Sequence, residues 1–187
     1  MVNPFTIMEL IYSPEEDSFL LKETLEKELP ELLKEKKDLT FLEIGIGSGI
    51  QIEAALEFGV KKVNIAGVDI NNWAISFSKE KGFNVFNSNL FENIKDKFDL
   101  IIFNPPYLPK DEKEDEESQR ITTGGKEGSE IINEFLKQAK EHLESEGKIF
   151  LLISSLTKGI DWLNYKKKLI GEKKLFFEKL EVWELKF

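Results

Sequence analysis

The chain has 187 residues, 41% of them hydrophobic, enough to fill one full-sized core. It carries 35 acidic against 26 basic residues, a formal charge of −9 that argues against stable nucleic-acid binding. With no cysteine and one histidine, it excludes disulfides, thiolate metal sites and a cysteine nucleophile, and most histidine-based metal and triad schemes as well.

The first predicted element is a helix from Pro14 to Lys36, with Phe19, Leu20, Leu25, Leu29, Leu32 and Leu33 at helical spacing and a kink or break at Pro30. Ser13 reads as its cap, Pro14 as its first residue and Glu16 as the far end of a capping box. Strand and helix patterns then alternate. Strands are predicted over Leu39–Ile44, Lys62–Asp69, Phe83–Asn87 and Phe98–Phe103, with helices over Ile50–Phe58 and Asn71–Lys81 between them. Near-continuous apolar strands separated by helices predict a parallel sheet covered on both faces. A long loop over 107–125 leads to a helix from Lys126 to Ser145, ended by Gly147, and a fifth strand from Lys148 to Ser154. The tail beyond Lys166 alternates like two final strands, antiparallel at one edge. No repeat and no Gly/Ser linker divides the chain, so residues 1–187 read as one domain with a short N-terminal helical segment over about 13–36. No apolar run approaches the ~18 residues of a membrane span and no signal-peptide pattern opens the chain, so a soluble cytoplasmic protein is expected.

Two motifs carry chemistry. Glu43-Ile44-Gly45-Ile46-Gly47-Ser48-Gly49 follows a predicted strand and opens a predicted helix. Its spacing is G-x-G-x-G, with Ile50 where a dinucleotide fingerprint would place its third glycine, and suits a ligand lying over the turn without a pyrophosphate. Asp69, 24 residues after Gly45, ends the next strand, where a carboxylate can accept from both ribose hydroxyls. Each feature also has a structural reading, a bare turn and a helix cap; together they point to an adenosine-type ligand. The second motif is Asn104-Pro105-Pro106-Tyr107 at the end of the fourth strand. Two prolines stop a central strand, but they also stiffen the backbone and remove competing donors. The Asn104 side-chain oxygen and the Pro105 carbonyl can then accept both hydrogens of one planar NH2 group, with Tyr107 stacked on its face.

These residues resemble the class I S-adenosylmethionine-dependent N-methyltransferases, and among them the HemK-type glutamine methyltransferases of peptide-chain release factors. Tyr12-Ser13-Pro14-Glu15-Glu16-Asp17-Ser18, Gly124-Gly125-Lys126-Glu127-Gly128 and Phe177-Glu178-Lys179-Leu180 resemble the archaeal and eukaryotic branch. Bacterial members carry an extra N-terminal helical domain for which 187 residues leave no room. The chain departs from the family at Asn89-Leu90-Phe91, where an acidic residue usually precedes Leu-Phe and contacts the adenine amino group, and at Thr122-Thr123, where a Trp is common.

The resemblance implies a Rossmann-like, mostly parallel sheet with an antiparallel strand near the C-terminus, and S-adenosylmethionine as cofactor. It implies transfer of a methyl group to the side-chain nitrogen of a glutamine, in the Gly-Gly-Gln loop of a class I release factor. Carried over by position, the cofactor-binding residues are Ser18, Glu43, Gly45, Gly47, Asp69, Asn89, Leu90 and Asn104. The catalytic residues are Asn104, Pro105 and Tyr107, which with Pro106 also bind substrate. A small zinc-binding activator subunit is implied at the edge of the third strand, near Phe83, Val85 and Phe86, positions that core packing would explain equally. Adenine N6 or guanine N2 of DNA or RNA, or a protein lysine, are the alternative acceptors. Tyr12 reads as a lid or a hydrophobic staple, Asp111–Glu117 as a solvated loop or a substrate gate, and His142 as a surface residue.

Overall fold

Glu16–Glu35 form the first helix, α1, of a computed structural model that describes residues 13–110 and 123–187. The predicted capping box does not form. Helix entry falls at Glu15, whose side chain makes no cap bond, and Glu16 instead pairs with Lys173 on a distant strand. The helix also runs unbroken past Pro30, which lies on its exposed side while Leu29 and Leu32 are buried around it. Its buried stripe is Leu20, Leu21, Leu25, Leu29 and Leu32; Phe19, expected in that stripe, is 45% exposed.

The strands are β1 (Phe41–Ile44), β2 (Ile65–Asp69), β3 (Val85–Asn87), β4 (Phe98–Phe103), β5 (Leu143–Ser154), β6 (Lys166–Lys174) and β7 (Lys179–Lys186). The remaining helices are α2 (Ile50–Glu57), α3 (Asn72–Glu80) and α4 (Glu130–Ala139). The seven strands form one sheet in the order β3-β2-β1-β4-β5-β7-β6. β1 to β5 are parallel, and β7 runs antiparallel to both β5 and β6. Side chains alternate between two cores, as a period of two requires. Leu100, Ile102, Phe150 and Val182 face α1 and α2, whereas Ile101, Phe103, Ile149 and Leu185 face α4. The outer strand β6 exposes Lys166, Lys167, Lys168 and Lys174, charges that discourage pairing with another chain.

Two boundaries differ from expectation for tertiary reasons. Residues 126–129 do not join α4, because the Lys158 amide donates to the Glu127 carbonyl and the Glu130 carboxylate accepts from the Glu127 amide. At the other end, Leu143 pairs with Phe98 and Lys148 with Leu100, so β5 carries extra residues against β4. Gly147 is therefore inside a bulged strand and does not end the helix; a Cβ there would lie 2.9 Å from the Phe98 carbonyl oxygen. The segment Lys62–Asn64, expected as strand, is a short 3-10 turn leading into β2.

The strand order reverses between β1 and β4. Chains leave that crevice in opposite directions at the carboxyl ends of the strands, where ligands bind in open α/β sheets.

Candidate active site

β1 ends at Ile44, and Gly45 turns the chain with φ +70°, a conformation that favours glycine. The amides of Gly45 and Ile46 both donate to the Val68 carbonyl, and the Gly47 amide donates to Asp69 Oδ2 at 2.9 Å. The turn is thus tied to the end of β2. Asp69 Oδ1 accepts from the Asn71 amide at 2.8 Å, while α3 takes its own cap from Asn71, whose side chain accepts from the Trp73 amide. Asp69 is accordingly not the cap of α3. Burial raises its carboxyl above the usual range, against the lowering effect of those amides.

Behind the turn, Glu43 is 4% exposed, with the Ile52 amide at the start of α2 acting to lower its carboxyl. Its Oε2 is buried with no hydrogen-bond partner among the described residues. Burial first, then the charge of Asp69, holds this carboxyl well above its ordinary range. A buried acid in that condition is stabilised by any cation brought beside it.

β4 delivers Asn104, Pro105, Pro106 and Tyr107 to the same crevice. Asn104 Nδ2 donates to Asp17 Oδ2 at 3.2 Å, and the Tyr107 hydroxyl donates to the same oxygen at 3.3 Å. Asn104 Oδ1 is buried and makes no hydrogen bond with the described residues. Burial, then the nearby charges of Asp17, Glu178 and Glu15, raises the Tyr107 phenol above its ordinary value, so it stays a donor. Rather than lying free to stack, Tyr107 is held at its hydroxyl by Asp17 and at its carbonyl by Thr157 Oγ1, 2.9 Å away.

The segment 124–128 braces this motif from outside. The Gly124 amide donates to the Leu108 carbonyl. A Cβ on Gly124 would lie 2.4 Å from the Pro106 carbonyl oxygen and 2.3 Å from that of Gly128, so only glycine fits between them.

Asp17, Glu43, Gly45, Gly47, Asp69 and Asn104 to Tyr107 line one cavity of about 590 Å³, together with Ser18, Gln51, Ile70, Ser88, Asn89, Leu90 and Glu178. Ser18 is buried, and its carbonyl accepts from Gln51 Nε2, which joins α1 to α2. Leu90 adopts φ +48° with its carbonyl held by the Ser88 hydroxyl, and Asn89 donates through its side-chain nitrogen to Glu92. The crevice is shaped for an elongated ligand that meets glycine backbone, a strand-end carboxylate and an amide in turn.

Comparison with known proteins settles the family. Residues 18–169 match the methyltransferase small domain family. The putative protein N5-glutamine methyltransferase MJ0928 of Methanocaldococcus jannaschii is 38% identical, over 94% of this chain and 92% of its own length. The chain belongs to the HemK-type protein N5-glutamine methyltransferases. A second relative in this family is the eRF1 methyltransferase catalytic subunit mtq2 of Schizosaccharomyces pombe, 31% identical over 76% of this chain and 71% of its own. Among solved structures, the ribosomal protein L11 methylase of Lactobacillus delbrueckii aligns with a TM-score of 0.61 over 95% of this chain and 82% of that one, at 19% identity. That likeness is one of methyltransferase fold.

The sheet of this HemK-type chain brings Ser18, Glu43, Gly45, Gly47, Asp69, Asn89, Leu90 and the Asn104–Tyr107 motif to one cavity. His142 lies elsewhere, stacked on Phe91 at 4.6 Å with Nδ1 3.2 Å from the Asp96 carbonyl. At the third strand, Val85 is buried in the core, whereas Phe83 and Phe86 are half-buried. Tyr12, Asp111–Glu117 and Thr122 lie outside the described residues. Sequence reading missed Asp17 as a site residue, along with Gln51, Ile70, Ser88 and Glu178. Asp17 stood inside a segment already noted, one position before Ser18, but nothing local announces that its partner is on β4. Among the described residues no helix is long and apolar enough to cross a membrane.

Proposed function

We propose that this chain transfers a methyl group from S-adenosylmethionine to the side-chain nitrogen of a glutamine, in the Gly-Gly-Gln loop of a class I peptide-chain release factor. The observation that carries this reading is the buried, unbonded Oδ1 of Asn104, whose Nδ2 is already engaged by Asp17. An acceptor in that state stabilises an incoming N–H strongly, because leaving it unsatisfied is costly.

The residues fit the cofactor chemically. Asp69 suits ribose hydroxyls, Gly45 and Gly47 let the backbone approach, and Glu43 with its unsatisfied Oε2 suits the methionine ammonium. Ser18 and Leu90 shape the walls, and Asn89 offers an amide to the adenine amino group in place of the usual carboxylate. The cofactor, when bound, supplies an electrophilic methyl group on a sulfonium.

The protein's part is positioning. An amide nitrogen is a poor nucleophile because its lone pair is delocalised into the carbonyl. Asn104 Oδ1 and the Pro105 carbonyl accept its two hydrogens, orient its plane and favour electron density normal to that plane. Pro106 keeps the carbonyls rigid, and Tyr107, fixed by Asp17, closes one side. Held near 3–3.5 Å from the reacting carbon, such a pair gains much of its rate from geometry alone. The nitrogen gives up a proton as the new bond forms; that proton is acidic enough to need no strong base.

Two further parts of the reading concern partners. The outer side of β3 is unpaired among the described residues, and Phe83 and Phe86 beside it are only half-buried. A small zinc-binding activator subunit adding a strand there would cover both, consistent with the word "subunit" in the name of the fission-yeast relative. The protein acts in the cytoplasm as a single catalytic domain.

Methyl transfer from radiolabelled S-adenosylmethionine to release factor, to a Gly-Gly-Gln loop mutant, to DNA and to RNA tests the assignment. Label on release factor that vanishes in the loop mutant is expected. Label on nucleic acid, with none on release factor, would overturn it. Co-expression with the activator should raise solubility if the β3 edge is its seat.

A further inference from the structure

The turn joining β6 to β7 is two residues long at its tip, closed by the Leu175 amide donating to the Glu178 carbonyl at 2.8 Å. Tips of this kind ordinarily carry glycine, asparagine or aspartate. Here they carry Phe176 and Phe177, 92% and 85% exposed, with their rings edge to face at 4.6 Å. Neither ring joins either core. Leu156, 41% exposed, lies on the neighbouring loop, which is tied to this hairpin by the Ser154 hydroxyl donating to Glu178 and the Lys179 amide donating to Ser155. Two large aromatic rings left in water bury almost no area in the fold, and an exposed apolar patch of this kind marks a contact surface.

Its position says for what. Glu178, the next residue, lines the cavity. On the other side of the hairpin, Lys173 pairs with Glu16, whose neighbours Glu15, Asp17 and Ser18 also line it. The patch is therefore continuous with the acceptor side of the cavity. Among its described lining residues are the carboxylates Glu15, Asp17, Glu43, Asp69 and Glu178, and no lysine or arginine.

We infer that Phe176 and Phe177 dock the protein substrate, seating an apolar side chain that lies beyond the immediate neighbours of the methyl-accepting residue, while Glu15 and Glu178 receive a basic one. This rests on the glutamine-methyltransferase reading above and adds to it the means of holding a folded protein. The rings bind outside the reacting centre, so they lower the concentration of substrate needed without touching the methyl-transfer step.

The test compares the native chain with the double variant Phe176→Ser, Phe177→Ser. Calorimetry with S-adenosylmethionine comes first, and an unchanged affinity shows that the cavity is intact. Steady-state methylation is then measured on intact release factor and on a short peptide holding the accepting glutamine and one residue either side. With intact release factor KM should rise about 10-fold or more, as for buried aromatic anchors, at unchanged kcat. The short peptide should be methylated equally by both proteins. Added salt should raise KM for intact release factor in both. An unchanged KM in the double variant overturns the inference while leaving the proposed function standing. A native chain that methylates no release factor overturns both. A self-association seen in ultracentrifugation and lost in the double variant, with KM unaltered, would assign the rings to a second copy instead and equally overturn it.

Discussion

Asp17, in the first turn of α1, accepts a hydrogen bond from the side-chain nitrogen of Asn104, 87 residues further along at the end of β4, at 3.2 Å. A carboxylate can only accept, so this contact decides which way round the Asn104 amide sits and leaves Oδ1 as the atom available to a substrate. The same oxygen of Asp17 takes the Tyr107 hydroxyl. One side chain thereby sets two members of the acceptor clamp.

Asp17→Asn should therefore cost turnover. Its amide can meet Asn104 in either orientation, so the clamp is no longer fixed, and misplacement on this scale costs about 10²-fold. Asn104→Ala should lose at least as much while largely retaining S-adenosylmethionine binding. Because Asp17 acts through Asn104 as well as Tyr107, the double variant should lose less than the product of the two single losses. Single-turnover methylation and calorimetry read the two quantities separately. Lost cofactor affinity with near-normal turnover in Asn104→Ala would sink the assignment.

Asp69→Ala should behave in the opposite sense. It removes the strand-end carboxylate and unties the Gly47 amide from it. Cofactor affinity should fall about 10- to 100-fold, the worth of charge-assisted hydrogen bonds, with turnover at saturating cofactor less affected. Calorimetry decides.

Glu43 gives a pH signature. Its carboxyl, like that of Asp69, lies above the ordinary range in the folded chain. Between the unfolded and the raised folded values the native state holds more protons, so stability falls as pH rises through that window. The contribution is fully present below the ordinary carboxylate range and gone above the folded values. Glu43→Gln removes the effect of this group. Without cofactor, its Tm relative to the native chain should climb as pH rises above the ordinary carboxylate range. A constant difference above that range would show that Glu43 does not titrate there.

Gly124→Ala tests the brace behind the clamp. The new methyl group would meet two backbone carbonyl oxygens at 2.3 and 2.4 Å, neither of which can swing aside as a side chain can. A loss of about 1–3 kcal/mol in stability is expected from overpacking, with displacement of Pro106. Turnover should drop further than cofactor affinity, because Gly124 sits behind the Asn-Pro-Pro-Tyr motif and away from Asp69. Denaturant melts and calorimetry separate the two effects. Unchanged turnover would mean that the brace does not set the clamp.

Where function was legible in the sequence, the chemistry was local. A glycine needed for positive φ at residue 45, a carboxylate at a strand end, and two prolines that stop β4 are each determined by neighbours along the chain. The alternation of apolar runs likewise determined the parallel sheet, because each strand is buried by its own residues. The predicted cap at Ser13 does not form: the helix begins at Glu16, and the Glu16 carboxylate pairs with Lys173, 157 residues away, where no local pattern points. The end of α4 moved because Leu143 pairs with Phe98 in the ladder.

The sequence by itself thus determined the sheet, the glycine turn and the stiff acceptor motif, since backbone sterics and hydrophobic periodicity act over a few residues. Only the tertiary structure decided that Asp17 orients Asn104, that Gly124 supports Pro106 and that two phenylalanines stand at the rim of the cavity. Those relationships join segments far apart in the chain, and no local rule of propensity or spacing carries information about which segments the sheet will bring together.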